Sequence, residues 1–145
     1  MKPPPLPTPD EDSEPFWAAC RAGHLAAQRC PGCGRFRWPP MEFCPFCHVR
    51  GGDWTTLPGT GTVVSFVIAH RAFDPAFEDR VPYAIAHVAL DGADGVTIVA
   101  NLETDPVESV AVGQRVAVEF VESGAAVLPR FRRLESVASQ EPRFP

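Results

Sequence analysis

Residues 30–47 read CPGCGRFRWPPMEFCPFC and contain two Cys-x-x-Cys pairs separated by ten residues. Each pair places two thiolates on one tight turn, and two such turns facing each other form a tetrahedral four-sulfur site for zinc. The residue after such a pair commonly needs a positive φ, which Gly34 adopts readily and His48 tolerates. The stretch therefore predicts a zinc ribbon whose metal ligands are Cys30, Cys33, Cys44 and Cys47.

Two disulfides or a redox-active pair are the alternatives for these cysteines. Residues 1–14 are Pro-rich and acidic without an apolar signal-peptide core, which predicts a cytoplasmic protein whose thiols stay reduced. A redox motif would not need a second copy. Four sulfur ligands leave no open position, so the predicted zinc is structural, although iron could enter the same cage in an overexpressed sample. The fifth cysteine, Cys20, is predicted to be a small buried apolar side chain.

The net charge is −5, which disfavours a nucleic-acid partner because such binding depends on cations that neutralise phosphates. The charge is nevertheless uneven, since residues 21–50 contain five Arg and one acid. No run approaches the roughly 18 apolar residues of a transmembrane helix. Composition therefore favours a protein that meets neither a membrane nor nucleic acid, but that carries local arginine patches.

The remaining pattern predicts an all-β protein with one short helix. The helix is expected to start at Ser13, which can cap it, and to end at Gly23. Five strand-like runs follow at 62–71, 83–91, 96–102, 115–122 and 125–131, with a helical turn from Asp105-Pro106 between the third and fourth. This order matches a five-stranded OB-fold barrel, and an SH3-like barrel is the alternative that periodicity does not separate.

Four segments are predicted along the chain. A disordered Pro-rich tail covers 1–12, because Pro fixes φ and no apolar pattern is present. The N-terminal helix and zinc ribbon cover 13–52, and the OB-fold barrel covers 53–134. The interval 53–59 is predicted to be a link, and 135–145 a C-terminal tail.

No Ser/His/Asp or Cys/His arrangement emerges, so no catalytic residue is predicted. Arg35, Arg37 and Trp38 could hold a phosphate while a ring stacks on a base. Alternatively, a ribbon strand packs Phe36 and Trp38 inward and exposes the arginines. In the loop 71–82, two Phe either fold back onto the barrel or anchor an interface.

Several short motifs together resemble one known family. They are FW at 16–17, QRCPGCG at 28–34, WPP at 38–40, CPFC at 44–47, GTGTV at 59–63, PY at 82–83, VGQRV at 112–116 and LPRF at 128–131. This set resembles the domain-of-unknown-function family in which a rubredoxin-like zinc ribbon precedes a C-terminal OB fold. The resemblance covers roughly residues 15–133, and His48 in place of a second knuckle Gly is a small departure.

The resemblance implies a role in lipid metabolism, as an accessory subunit of a thiolase-like enzyme such as a thiolase or a steroid side-chain retro-aldolase. The catalytic residues then belong to the partner, zinc is structural, and acyl-CoA is a ligand of the hetero-oligomer. Whether the chain is itself an enzyme stays open, as do the acyl group, the partner and the stoichiometry. The alternative function is a single-stranded nucleic-acid-binding OB-fold protein.

Within the accessory function, residue type and position favour two sets of contacts. Those with CoA are expected at Arg35, Arg37, Trp38, Arg130 and Arg132. Those with the partner protein are expected at Phe16, Trp17, Phe73 and Phe77.

Overall fold

The structure, a computed structural model, describes residues 2–135; the predicted C-terminal tail lies outside this range except for its first residue. One α-helix, α1 (Glu14–Arg21), comes first. The strands are β1 (Ala26–Arg29), β2 (Phe36–Arg37), β3 (Asp53–Thr56), β4 (Thr60–Ala69), β5 (Tyr83–Leu90), β6 (Thr97–Glu103), β7 (Arg115–Ser123) and β8 (Ala126–Arg133). None of the helices among residues 2–135 has the length and apolar character needed to cross a membrane.

The last five strands close into a barrel in the order β4-β5-β6-β8-β7. Neighbours are antiparallel except β6 and β8, which run parallel and pair through Leu102–Phe131 and Glu103–Arg132. A 3₁₀ helix, Val107–Ser109, lies between β6 and β7. This is the OB-fold arrangement and not the SH3-like one. The predicted all-β class, with a short helix, a zinc ribbon and a five-stranded OB-fold barrel, is confirmed.

The barrel core forms because strand residues alternate between its two faces. In β5, alternate residues from Ala84 to Leu90 are buried and those between them are half-buried. Val63, Val88 and Phe131 come from three different strands and are buried together in one cluster. Branched and aromatic side chains favour this pleated, half-buried surface.

The first three strands form a separate sheet in the order β2-β1-β3. In it, β3 pairs with β1 from Ala26–Thr56 to Arg29–Asp53. The prediction of a link over 53–59 was therefore wrong for its first half. The strand was missed because its sequence, DWTT, does not alternate between apolar and polar residues, although Trp54, Thr55 and Thr56 are β-favouring types.

Helix α1 begins and ends close to the predicted residues. At its C-terminus Gly23 has a φ of +86°, and the N–H groups of Gly23 and His24 donate to Cys20 and Ala19 in a Schellman arrangement. Ser13 occupies the N-cap position, but its side chain makes no capping bond to the helix. Its hydroxyl instead accepts from the Asp10 N–H at 3.0 Å. The predicted side-chain cap was therefore wrong.

Candidate functional site

The four predicted ligand sulfurs lie together. All four Sγ atoms are within 4.8 Å of one another, with Cys30–Cys47 at 3.4 Å and Cys33–Cys44 at 3.7 Å. Both distances exceed the S–S bond of about 2.05 Å, and the cysteines are free thiols. A tetrahedral ion with Zn–S bonds of about 2.3 Å separates its sulfurs by about 3.8 Å. The four side chains therefore fit a zinc ion.

The two Cys-x-x-Cys turns have the same backbone geometry. The Gly34 N–H donates to the Cys30 carbonyl at 2.9 Å, and the His48 N–H donates to the Cys44 carbonyl at 2.9 Å. Gly34 has a φ of +74°, and His48, at +65°, is the one non-glycine residue with positive φ among residues 2–135. The positive φ predicted after each pair is confirmed.

The electrostatics of the cage call for a cation. Burial raises the pKa of Cys44, but the backbone N–H groups of Cys47 and Phe46 outweigh it and lower this pKa to about 6. For Cys47, the Val49 N–H lowers the pKa, yet the neighbouring thiols, Cys30 first, raise it to about 11. Without a bound ion, four thiolates this close together would repel one another. A divalent cation would offset that repulsion.

Cys20 lies apart from the cage. Its side chain is buried in the same hydrophobic cluster as Val88 and Phe131 of the barrel. Burial raises the pKa of Cys20 to about 11. Because the thiolate is the reactive form, such a cysteine is inert. The prediction of a small buried side chain is confirmed.

Arg37 is buried, contrary to both interpretations of its segment. Its Nε donates to Gln28 Oε1 at 2.7 Å, and its Nη2 donates to the carbonyls of Met41 and Gly51 at 2.8 and 2.7 Å. Only 3% of the residue is exposed. The predicted CoA contact at Arg37 is therefore corrected: this guanidinium ties three parts of the ribbon together.

Arg35 and Trp38 remain accessible. Arg35 is exposed and lies over the Phe46 ring at 4.6 Å. Trp38 is half-buried, with its ring edge-on to Phe16 at 4.8 Å. Phe36 and Trp38 both pack against the core, as the alternative interpretation expected.

Two further predicted CoA contacts, Arg130 and Arg132, already form intramolecular ion pairs. Arg130 contacts Glu103 at 3.0 Å and Glu119 at 3.2 Å. Arg132 contacts the other carboxylate oxygen of Glu119 at 3.2 Å. A phosphate would therefore compete with two carboxylates at these two arginines, which weakens the case for CoA contacts there.

The four residues predicted to meet a partner fall into three groups. Phe16 is buried in the protein's own core, so its predicted partner contact is corrected. Trp17 and Phe77 are half-buried, and Phe77 lies 5.9 Å from the Tyr83 ring. Phe73 is 91% exposed, so the protein's own core does not take up its ring.

Sequence reasoning missed an apolar tip on the second Cys-x-x-Cys turn. Phe43, Phe46 and Val49 are all substantially exposed there. They lie beside or between the cysteines of the second pair. Because that pair forms a short turn, the sequence position of these residues already indicated that their side chains cannot reach the core. It also missed a large groove beside β6, with a volume of about 980 Å³.

Fold and site together define a zinc-ribbon domain joined to an OB-fold barrel. Two family models match the chain: the ChsH2 rubredoxin-like zinc ribbon domain at residues 17–52 and the ChsH2 C-terminal OB-fold domain at residues 54–121. The chain belongs to this family, which also carries the name DUF35.

Two curated relatives are similar to the chain. A probable enoyl-CoA hydratase alpha subunit of Thermomonospora curvata is 33% identical over 129 residues, or 88% of this chain. The chain spans only 39% of the length of that relative. A DUF35 domain-containing scaffold protein of Methanocaldococcus jannaschii is 31% identical over 97 residues, which cover 66% of this chain and 67% of the relative.

Two solved structures are also similar. The first is a chain of the Ltp2-ChsH2(DUF35) aldolase, with 32% identity and a TM-score of 0.79, covering 88% of this chain and 98% of that chain. The second is a DUF35-family protein of unknown function from Sulfolobus solfataricus, with 18% identity, a TM-score of 0.61 and 86% of each chain covered. The second likeness concerns the fold alone.

Proposed function

We propose that the chain is an accessory subunit that binds and stabilises a thiolase-like enzyme, a thiolase or a steroid side-chain retro-aldolase, and helps to bind its acyl-CoA substrate. The observation that carries the proposal is the likeness to a chain of the Ltp2-ChsH2(DUF35) aldolase, which extends over 98% of that chain. A relative described as a probable enoyl-CoA hydratase alpha subunit supports the link to acyl-CoA chemistry.

The zinc in this proposal is structural. Cys30, Cys33, Cys44 and Cys47 would hold it, and bound zinc supplies folding free energy to a small domain. The ribbon needs that contribution because its three strands are two to four residues long. A fixed ribbon in turn presents the exposed Arg35 and the rings around it as a rigid surface.

The CoA contact proposed after these corrections is Arg35 with Trp38. Arg35 has no carboxylate partner within residues 2–135, and guanidinium groups bind phosphate bidentately. Arg130 and Arg132 are secondary candidates, because a ligand must first displace Glu103 and Glu119.

The partner contact proposed with most support is Phe73. Its ring is 91% exposed on a loop that is fixed by the 3₁₀ helix Pro75–Phe77 and by the Asp74 carboxylate accepting from the Ala76 N–H at 2.9 Å. A rigidly presented aromatic ring is the usual form of an interface anchor.

The test is co-expression with a thiolase-like protein of the same organism, followed by size-exclusion chromatography. We expect co-elution, and we expect Phe73→Asp to weaken the complex at least about tenfold, since anchors carry about 2 kcal/mol or more. Val112→Asp, at another exposed apolar position, is the matched control and should leave the complex intact. A partner that is stable and active alone, and that never co-elutes, would contradict the proposal.

A further inference from the structure

One edge of β6 lacks a strand partner over most of its length. Residues 97–102 of β6 pair with β5, but β8 pairs with β6 only at Leu102 and Glu103. Over residues 97–101 no other strand of the described chain covers the opposite edge. The alternate backbone N–H and carbonyl groups at that edge are free to meet an added extended chain.

The space beside this edge is the groove of about 980 Å³, called here the β6 groove. Its walls are largely aromatic and apolar. Its wall includes the half-buried Trp17 and Trp38. The buried Phe16 ring contacts both, at 5.1 Å from the Trp17 ring and 4.8 Å from the Trp38 ring. Val99, which is 66% exposed, lies on β6 itself. Free strand edges accept extended peptides, and aromatic-lined grooves accept proline-rich segments.

The charges lining the groove balance. Two arginines, Arg80 and Arg130, oppose two glutamates, Glu103 and Glu122. Binding of single-stranded nucleic acid requires a cationic groove that follows the phosphate backbone. The β6 groove therefore suits a ligand of low net charge.

The chain's own N-terminal segment already lies at the groove. Residues 3–9 read PPPLPTP, a composition that favours the polyproline II helix. Pro4 and Pro5 line the β6 groove. The next residue, Leu6, lies against Gly124: a Cβ added at Gly124 would be 3.2 Å from Leu6 Cδ1.

Few polar contacts hold this segment. The Lys2 ammonium lies 3.8 Å from the Asp74 carboxylate and is 67% exposed, so it contributes little. A competing peptide of the same chemistry could therefore displace the segment.

We propose that the β6 groove is a docking site for an extended, proline-containing peptide segment of a partner protein, and that residues 3–9 of the chain are its internal competitor. The half-buried Trp17 and Trp38 rings stack on proline faces. The free N–H groups of the β6 edge donate to the peptide carbonyls, because proline has no N–H with which to complete a strand pairing. The inference goes beyond the proposed function and does not require the partner to be thiolase-like.

The experiment measures binding of the fluorescein-labelled peptide PPPLPTP to the full zinc-loaded chain by fluorescence anisotropy. Wild type should bind weakly, because a tethered competitor acts at an effective concentration in the millimolar range. The double variant Pro4→Gly/Pro5→Gly, and independently Leu6→Asp, should bind at least about tenfold more tightly. Zinc content and circular dichroism establish that each variant is folded.

Two variants made in the Pro4→Gly/Pro5→Gly background locate the site. Val99→Glu should lose at least about tenfold in affinity, whereas Val112→Glu should not. Both valines are similarly exposed, at 66% and 64%, so neither change disturbs the core. A peptide with glycine at every proline should bind more weakly than PPPLPTP.

Three results would overturn the proposal. The first is no peptide binding by either displaced variant. The second is equal loss, or no loss, for Val99→Glu and Val112→Glu. The third is tighter binding of a labelled single-stranded oligonucleotide than of the peptide, with that binding weakened by Val99→Glu. This result would make the groove a nucleic-acid site.

Discussion

Arg37 is a buried cation that meets only neutral acceptors. Its three hydrogen bonds go to the Gln28 amide and to two carbonyls, while its Nη1 atom has no partner. Burying a charge without a counter-ion is costly. Four thiolates around a divalent zinc ion would carry a net charge of −2, opposite in sign to the arginine excess of residues 21–50. Within that excess, Arg37 has a structural role, because its hydrogen bonds join separate parts of the ribbon.

We expect Arg37→Ala to lower the free energy of unfolding of the zinc-loaded chain by about 2–4 kcal/mol, because it leaves buried acceptors without donors. Arg35→Ala, two positions away and exposed, should change it by about 0.5 kcal/mol or less. Urea denaturation followed by circular dichroism measures both. Equal effects of the two substitutions would mean that Arg37 does not hold the ribbon together.

Residue-scale prediction from the sequence succeeded where one residue's chemistry was decisive. The thiolate spacing fixed the ligand set, and the turn geometry required positive φ at Gly34 and His48. It failed for Arg37 because β2 is only two residues long, and so short a strand shows no alternation from which to infer a face. The burial of Phe16 was missed because Phe16 and Trp17 are adjacent large aromatic residues. Either type fits an interface, and the sequence does not indicate which of the two is buried.

At the scale of elements, one ion pair joins three strands of the barrel. Asp91, directly after β5, accepts hydrogen bonds from Nη1 and Nη2 of Arg115 at the start of β7. The Thr60 hydroxyl of β4 also donates to Asp91, at 2.5 Å, and Arg115 donates to Thr62 at 2.9 Å. These contacts link β4, β5 and β7 where the strands meet.

The pair predicts a defined acid sensitivity. Hydrogen bonds from Arg115, then from Thr60, lower the pKa of Asp91 from 3.8 to about 2. A lowered folded-state pKa adds stability that is complete above about pH 4 and is lost as the pH falls toward 2. The difference in urea midpoint between wild type and Asp91→Asn should therefore become smaller as the pH falls from about 4 to about 2.

Comparing the two proteins at each pH cancels the loss of zinc that thiolate protonation causes in both. Arg115→Gln should give the same narrowing gap, and the double variant should not add to it, because the two residues form one interaction. A gap that stays constant or widens on acidification would show that the ion pair does not stabilise the barrel.

The sequence located the larger elements well. All five barrel strands lie within about two residues of their predicted bounds, because long β-branched runs between glycine turns leave few alternatives. The parallel β6–β8 closure could not be inferred from any local pattern, since it joins residues nearly thirty positions apart. The β6 groove, which depends on that short pairing, was for the same reason invisible in the sequence.

At the scale of the whole molecule, ribbon and barrel share one core. Leu25, Ala27 and Leu57 belong to the same buried cluster as Val88 and Phe131 of the barrel. If the ribbon became disordered, the barrel residues of that cluster would therefore lose packing contacts. A metal that orders the ribbon then also fixes the surfaces that carry Arg35, Phe73 and the β6 groove.

The central claim is that a four-thiolate zinc site orders this chain and the surfaces proposed for docking. The most direct measurement is the zinc content of the purified wild-type chain by elemental mass spectrometry, together with a free-thiol count before and after chelation. We expect one zinc per chain, four thiols that react only after chelation, and loss of zinc in Cys33→Ser but not in Cys20→Ala. A metal-free wild-type chain, or cage sulfurs joined as disulfides, would contradict the account.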